Sequence, residues 1–188
     1  ILFGWFGPEG STPPPFPALD CFRAPDSHTF AFKGLWRCNW LQAFEVGIDP
    51  SHASYLHRFL QDESTDHAYG RQFRGASVGQ VQGQRWPMTK VLREFARPEI
   101  RHEALADGLT RLTTLRPIDD ALTHVRVTNA AFPYTFVIPL SETITITQMH
   151  VPVDDVNTYW YSFFTSFGDP LDKEEMRRQR LACVSLPD

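Results

Sequence analysis

The chain has 188 residues, 42% hydrophobic and 21% charged, the composition of one sizeable globular domain or at most two small ones, and not of a disordered chain. Eighteen Lys and Arg against 22 Asp and Glu give a formal net charge of −4 with no basic block, so nucleic-acid binding finds no support. No apolar run approaches the roughly 18 residues of a membrane span, and no secretory leader is visible.

In chain order, ILFGWFG (1–7) reads as a strand or strand end, and the chain opens on Ile1 as though something preceded it. The Pro/Gly-rich PEGSTPPPFP (8–17) reads as an extended connector between domains. HTFAFKG (28–34) alternates as a strand does. Apolar residues at 36, 40, 41, 44 and 46 have helical spacing, and Gly47 interrupts it. Asp49 then Pro50 predicts a second helix over about 50–60, with Asp as N-cap and Pro in the first turn. Residues 62–90 are polar and rich in Gly and Gln, which reads as a long surface loop. Beyond it, 110–118, 123–132, 135–140, 143–153 and 157–167 are rich in β-branched and aromatic residues and separated by short turns, predicting an antiparallel sheet. Asp169-Pro170 opens a charged helix, DPLDKEEMRRQRLA. The sum is α+β, with helices segregated to one side of the sheet and room for a pocket between them. Fifteen Phe and five Trp suit a large apolar interior.

Cys21, Cys38 and Cys183 are widely spaced and odd in number, so neither a disulfide framework nor a cysteine metal site is expected, and a reducing, cytoplasmic setting is the default. The histidines are more suggestive. Asp49, His52 and His57 form D-x-x-H-x-x-x-x-H on the second helix. Two imidazoles and a carboxylate suit the facial triad of a non-haem Fe(II) centre. A five-residue step turns an ideal helix by about 140°, so convergence of the rings requires a π-type widening or a fraying end. The same residues also read without metal, as a helix cap, a first-turn surface histidine and a histidine at a helix end. His150 reads as a satisfied core histidine and Asp154-Asp155 as a turn. Arg177, Arg178 and Arg180 beside Glu174 and Glu175 read as a solvated helix face. Asn39 and Gln42 fit either a pocket wall or helix capping, and Phe132, Phe136 and Met149 are plausible pocket walls.

The segment CNWLQAFEVGIDPSHASYLH (38–57) resembles the iron-binding segment of Rieske non-haem iron oxygenases, in the large (alpha) terminal-oxygenase subunit and its phthalate-dioxygenase-like branch. ILFGWFGPEGSTPPPFP (1–17) is similar to that family's exit from the Rieske domain, and the stretch 123–164 to its sheet core. The resemblance implies a helix-grip (START/Bet v 1-like) domain, an antiparallel curved sheet with helices on one side. It implies that residues 1–17 connect from a missing Rieske domain, and that 18–188 form a catalytic domain incomplete at its C-terminus. His52 and His57 would bind Fe(II), and Asp49 would bridge electron transfer from a [2Fe-2S] cluster in a neighbouring subunit. The third ligand, a late aspartate, would lie outside this chain, Asp188 being a poor candidate. O2 and an aromatic substrate would react there by hydroxylation or oxidative O-demethylation. Partners would be a reductase, a ferredoxin and two further copies in a homotrimer. Val46 departs from the family, where many relatives carry Asn. Two other readings stay open: a helix-grip binding module without iron, and a structural zinc site.

Overall fold

In a computed structural model of the protein, the described residues are 4–13, 15–16, 18–56, 80–81, 84–85, 88–105 and 109–184. A single turn of helix, α1 (Asp20–Arg23), and a 3-10 turn (Asp26–His28) lead into β1 (Thr29–Trp36). Helices α2 (Trp40–Ile48) and α3 (His52–Leu56) follow. The two-residue strands β2 (Gln80–Val81) and β3 (Gln84–Arg85) pair with each other and precede α4 (Met88–Glu94). Six strands then run as β4 (Glu99–Ala104), β5 (Leu109–Pro117), β6 (Thr123–Ala131), β7 (Thr135–Pro139), β8 (Ile144–Pro152) and β9 (Thr158–Ser166). Helix α5 (Lys173–Val184) closes the description.

Seven strands form one antiparallel sheet in the order β1-β9-β8-β7-β6-β5-β4. The predicted strands 110–167 all form, each within two residues of its expected ends, because their β-branched and aromatic runs fit a pleated, half-buried surface. Registers place Phe30, Phe164, Ile146, Ile138, Phe136 and Ala130 on one face. On that face Met176 of α5 packs with Phe30, Ile144, Ile146 and Phe164, while Phe44 of α2 packs with Ala130 and Phe136. The architecture is therefore α+β, an antiparallel sheet gripping helices on one face. The single turn α1 touches the opposite face, where Phe22 meets Phe163 edge-on at 5.7 Å. Among the described residues no helix is long and apolar enough to cross a membrane.

Several expectations are corrected. Of the strand expected over 1–7, residues 4–7 lie in no strand and 1–3 lie outside the described residues. The helix expected from Trp36 begins at Trp40, because Trp36 pairs with Thr158 in the sheet and Asn39 supplies the cap. Gly47 does not interrupt that helix. It lies inside α2, where an added Cβ would sit 2.3 Å from the Phe136 ring, so its absence of side chain lets the helix approach β7. The loop expected over 62–90 contains β2, β3 and the start of α4, and its remaining positions lie outside the described residues. Strand β4 was not anticipated. Its Glu-Arg-His-Glu composition is that of an exposed sheet edge, where charge discourages further pairing. Helix α5 starts at Lys173 rather than after Asp169, since Asp172 Oδ1 accepts from the Glu175 N–H at 2.9 Å.

Candidate functional site

Two helix caps shape the segment carrying the histidines. Asn39 Oδ1 accepts from the Leu41 N–H at 2.9 Å, starting α2, and its Nδ2 donates to the Asp155 carbonyl at 3.1 Å. The amide is thus committed to backbone at both ends. Helix α2 stops at Asp49, whose N–H still reaches the Glu45 carbonyl. The Asp49 carboxylate then caps the next helix: Oδ1 accepts from the Ser51 N–H at 2.8 Å and Oδ2 from the His52 N–H at 3.0 Å. This is the cap that Asp followed by Pro predicts.

The His52 ring folds back on the same turn. Its Nδ1 hydrogen-bonds the Asp49 backbone oxygen. A carbonyl only accepts, so Nδ1 carries a proton, and in the neutral ring the lone pair then lies on Nε2. A histidine so fixed by the carbonyl behind it has the orientation and tautomer of a metal ligand. The residues present therefore fit one imidazole position of a metal centre. His57 and Asp188 lie outside the described residues. Among the described residues no three His, Cys, Asp or Glu side chains converge as a ligand set.

The helix start is held from below by a residue the sequence did not single out. Arg116 of β5 is 1% exposed. Its Nη2 donates to the Pro50 carbonyl at 3.0 Å and Ser54 Oγ at 3.2 Å, and its Nε to the Phe95 carbonyl at 3.1 Å. One guanidinium thus ties the His52 turn to the strand and to the end of α4. Burial lowers the Arg116 pKa from its usual value.

Around Arg116 the sheet face is polar. Register pairs Arg116 with His124 and Thr114 with Arg126, so these four side chains form a block across β5 and β6. Burial, then the charges of Arg116 and Arg126, push the His124 pKa down to about 4. Burial, then Arg116, lower that of Arg126 to about 10, which leaves it protonated at neutral pH. The hydrophobic alternation of THVRVTNAA would have put Val125 and Val127 inside. The structure does the reverse: Val125 is 54% exposed, while His124 and Arg126 face the helices. The sequence carries no signal for this inversion, because the apolar alternation of β6 points to the opposite face.

The other expected site residues disperse. Gln42 and Phe132 are exposed, Phe132 lying 6.2 Å from the Trp40 ring, and Val46 is exposed too. Phe136 is fully buried in the α2 contact, and Met149 is buried on the opposite face. His150 is fully buried as expected, its ring 5.3 Å from each of the Trp36 and Phe136 rings; among the described residues its nitrogens make no hydrogen bond of ordinary geometry, the Ala43 backbone being the polar group that acts on it. Phe136 stands perpendicular to the ring and Trp36 is tilted to it, so its flanks are aromatic. Burial lowers its pKa to about 4, with the Ala43 backbone partly opposing. Asp154 accepts from the Val156 N–H and from Asn157 Nδ2, which is turn chemistry and holds its carboxyl below the usual range. On α5, Arg178 pairs with Glu175, whereas Arg180 lies 4.1 Å over the Phe32 ring instead of in solvent.

Comparison with known proteins adds an independent line. A family model described as LigXa C-terminal domain like matches residues 4–185. The chain is 28% identical over 184 residues to the phthalate 4,5-dioxygenase oxygenase subunit of Pseudomonas putida, covering 96% of this chain and 38% of that protein. The chain thus spans well under half the length of this relative. Among solved structures, an oxygenase–ferredoxin complex of carbazole 1,9a-dioxygenase aligns over 86% of this chain and 43% of that one, with TM-score 0.44 and 14% identity. Ara h 8.0201 aligns over 84% and 90%, with TM-score 0.36 and 14% identity.

Proposed function

The chain belongs to the family of domains like the LigXa C-terminal domain, and on that premise we propose that it is the catalytic domain of a terminal oxygenase acting on an aromatic compound. The reaction is ring hydroxylation or oxidative O-demethylation with O2. Electrons arrive from a Rieske [2Fe-2S] cluster, a ferredoxin or reductase, within a cytoplasmic homotrimer. The relationship to an oxygenase subunit over 96% of this chain supports the class. The observation that carries the site is the His52 ring, whose Nδ1 is committed to the Asp49 carbonyl, the orientation and tautomer of a metal-binding imidazole. His52 and His57 would hold Fe(II), which when bound supplies the oxygen-activating redox chemistry.

The chain's own residues have separate tasks. The Asp49 carboxylate fixes the helix turn, so the His52 backbone and ring are both positioned by one residue. Arg116 holds that turn against the sheet. Phe44 of α2 packs on Ala130 and Phe136, which fixes the helix that leads into the Asp49 turn against the sheet. As the electron-transfer bridge, Asp49 needs its charge, whereas capping does not, because Asn caps as well as Asp.

The full-length protein, purified without oxygen, is expected to hold about one mononuclear iron per subunit beside an iron–sulfur absorption spectrum. His52→Ala is expected to lose the mononuclear iron and keep the cluster. A metal-free wild type, or zinc in place of iron, overturns the reading. Asp49→Asn is expected to retain iron and fold but to lose most of its turnover; full turnover removes Asp49 from the electron path.

A further inference from the structure

The end of the sheet where β6 meets β7 lies opposite the end that Arg116 ties to the His52 turn, and it carries apolar surface the fold leaves uncovered. Phe132 in the β6-β7 turn is 74% exposed and Val156 in the β8-β9 turn 66%, and Val153 and Leu41 are exposed beside them. Three locked segments carry these side chains. Asn39 Nδ2 donates to the Asp155 carbonyl at 3.1 Å, Thr158 Oγ1 donates to the Cys38 carbonyl at 2.8 Å, and the Trp40 ring lies 6.2 Å from Phe132. The start of α2 thus bridges both hairpin turns. The β8-β9 turn is itself held, since Asp154 accepts from the Val156 N–H and from Asn157 Nδ2. A lone exposed apolar residue needs no explanation, but several on one pre-organised patch mark a surface that another molecule covers.

The charges at the edge of the patch identify the occupant. Arg37 and Asp155 are exposed there, on neighbouring strand ends, and among the described residues neither side chain has an ion-pair or hydrogen-bond partner. One unpaired cation and one unpaired anion on a single patch are self-complementary: a two-fold axis between them brings each Arg37 to Asp155 of the partner subunit, twice over. Anionic lipid or nucleic acid would instead meet the Asp154 and Asp155 carboxylates and be repelled. We propose that this patch is an isologous interface between two copies of the chain, with Leu41, Phe132, Val153 and Val156 at its centre and reciprocal Arg37–Asp155 pairs at its rim. The apolar centre supplies the association, since exposed ion pairs contribute little, and the pairs set partner and register. Within the homotrimer proposed above, two rings meet through this contact; the contact itself depends on neither the ring nor the iron site.

Sedimentation equilibrium of the full-length protein is expected to show an even number of chains per particle. Arg37→Glu and Asp155→Arg each put like charges together twice across the axis. Each is expected to weaken association about tenfold or more, read as half the wild-type mass at the same concentration. Circular dichroism should stay unchanged, because the structural bond at position 155 belongs to the backbone carbonyl and Arg37 makes none. Mixed in equal amounts, the two variants are expected to recover the wild-type mass: the introduced glutamate meets the introduced arginine, and the second pair across the axis is the native one. Val156→Asp is expected to halve the mass with no rescue by either variant. An odd number of chains, or a charge variant that keeps the wild-type mass, overturns the interface. Half-mass variants that do not recombine overturn it too, and assign the patch to a further segment of the chain or to another protein. Iron content on the same samples is read separately: even-numbered particles without iron sink the oxygenase reading and spare this inference, and odd-numbered particles with iron do the reverse.

Discussion

The β1-β9-β8 side of the sheet and the β5-β6 side turn the same face toward the helices, yet they are finished in different ways. On the first, Phe30, Ile144, Ile146 and Phe164 are covered by Met176 of α5, and apolar surface meets apolar surface. On the second, Thr114, Arg116, His124 and Arg126 stand where a core would ordinarily continue, and each keeps one buried polar atom without a hydrogen-bond partner in the structure, while Arg116 spends its other N–H groups on Pro50, Ser54 and Phe95. The contrast teaches that one half of the face is stabilised by apolar burial against α5, while the other is a polar block in which Arg116 ties the sheet to the His52 turn. Between the halves sit α2 and the His52 turn, packed on the apolar side through Phe44 and Phe136 and tethered to the polar side through Arg116.

The two halves are expected to respond to substitution to different degrees and over different ranges of the chain. The largest loss belongs to the apolar seam: Phe136→Ala, which empties a fully buried ring site beneath Gly47, should destabilise the domain by about 3–5 kcal/mol in urea unfolding. Arg116→Leu should cost about 1–3 kcal/mol, since it strands the Pro50 and Phe95 carbonyls while relieving a buried charge. Its signature is local: hydrogen exchange at the Ser54 amide should accelerate more than exchange in β9. Uniform acceleration would deny Arg116 its role as a tether.

Acidification should probe both sides at once. His124 and His150 are neutral in the folded chain down to about pH 4, against 6.5 for an unperturbed histidine. Between those values the unfolded state binds more protons, so stability falls as pH drops through that window. His150→Leu should flatten the fall in urea midpoint between about pH 7 and about pH 4.5, and an unchanged slope would place the proton uptake elsewhere. The smallest effect is expected at Asn39→Ala, about 1 kcal/mol for a lost helix cap, with no change in ligand affinity. A large affinity change there would return Asn39 to the substrate pocket.

Much of this was legible beforehand. Period-two runs of Val, Ile, Thr, Phe and Tyr located β5 through β9, and Asp49-Pro50 announced the cap that positions His52. Other features were hidden for identifiable reasons. Gly47 looks like an interruption until Phe136, 89 positions later, is brought against it. Arg116 looks like one more surface cation at a strand end, and the Val residues of β6 look like its inward face.

The amino-acid sequence by itself determined strands β5 to β9, their antiparallel order of succession, the Asp49 cap and the histidine motif, because each depends on neighbours a few residues apart. Only the tertiary structure decided which face of β6 turns inward, that Arg116 reaches Pro50, and that four polar side chains share one unsatisfied patch. Those facts depend on register and on contacts between residues more than 60 positions apart, and local propensity carries no information about either.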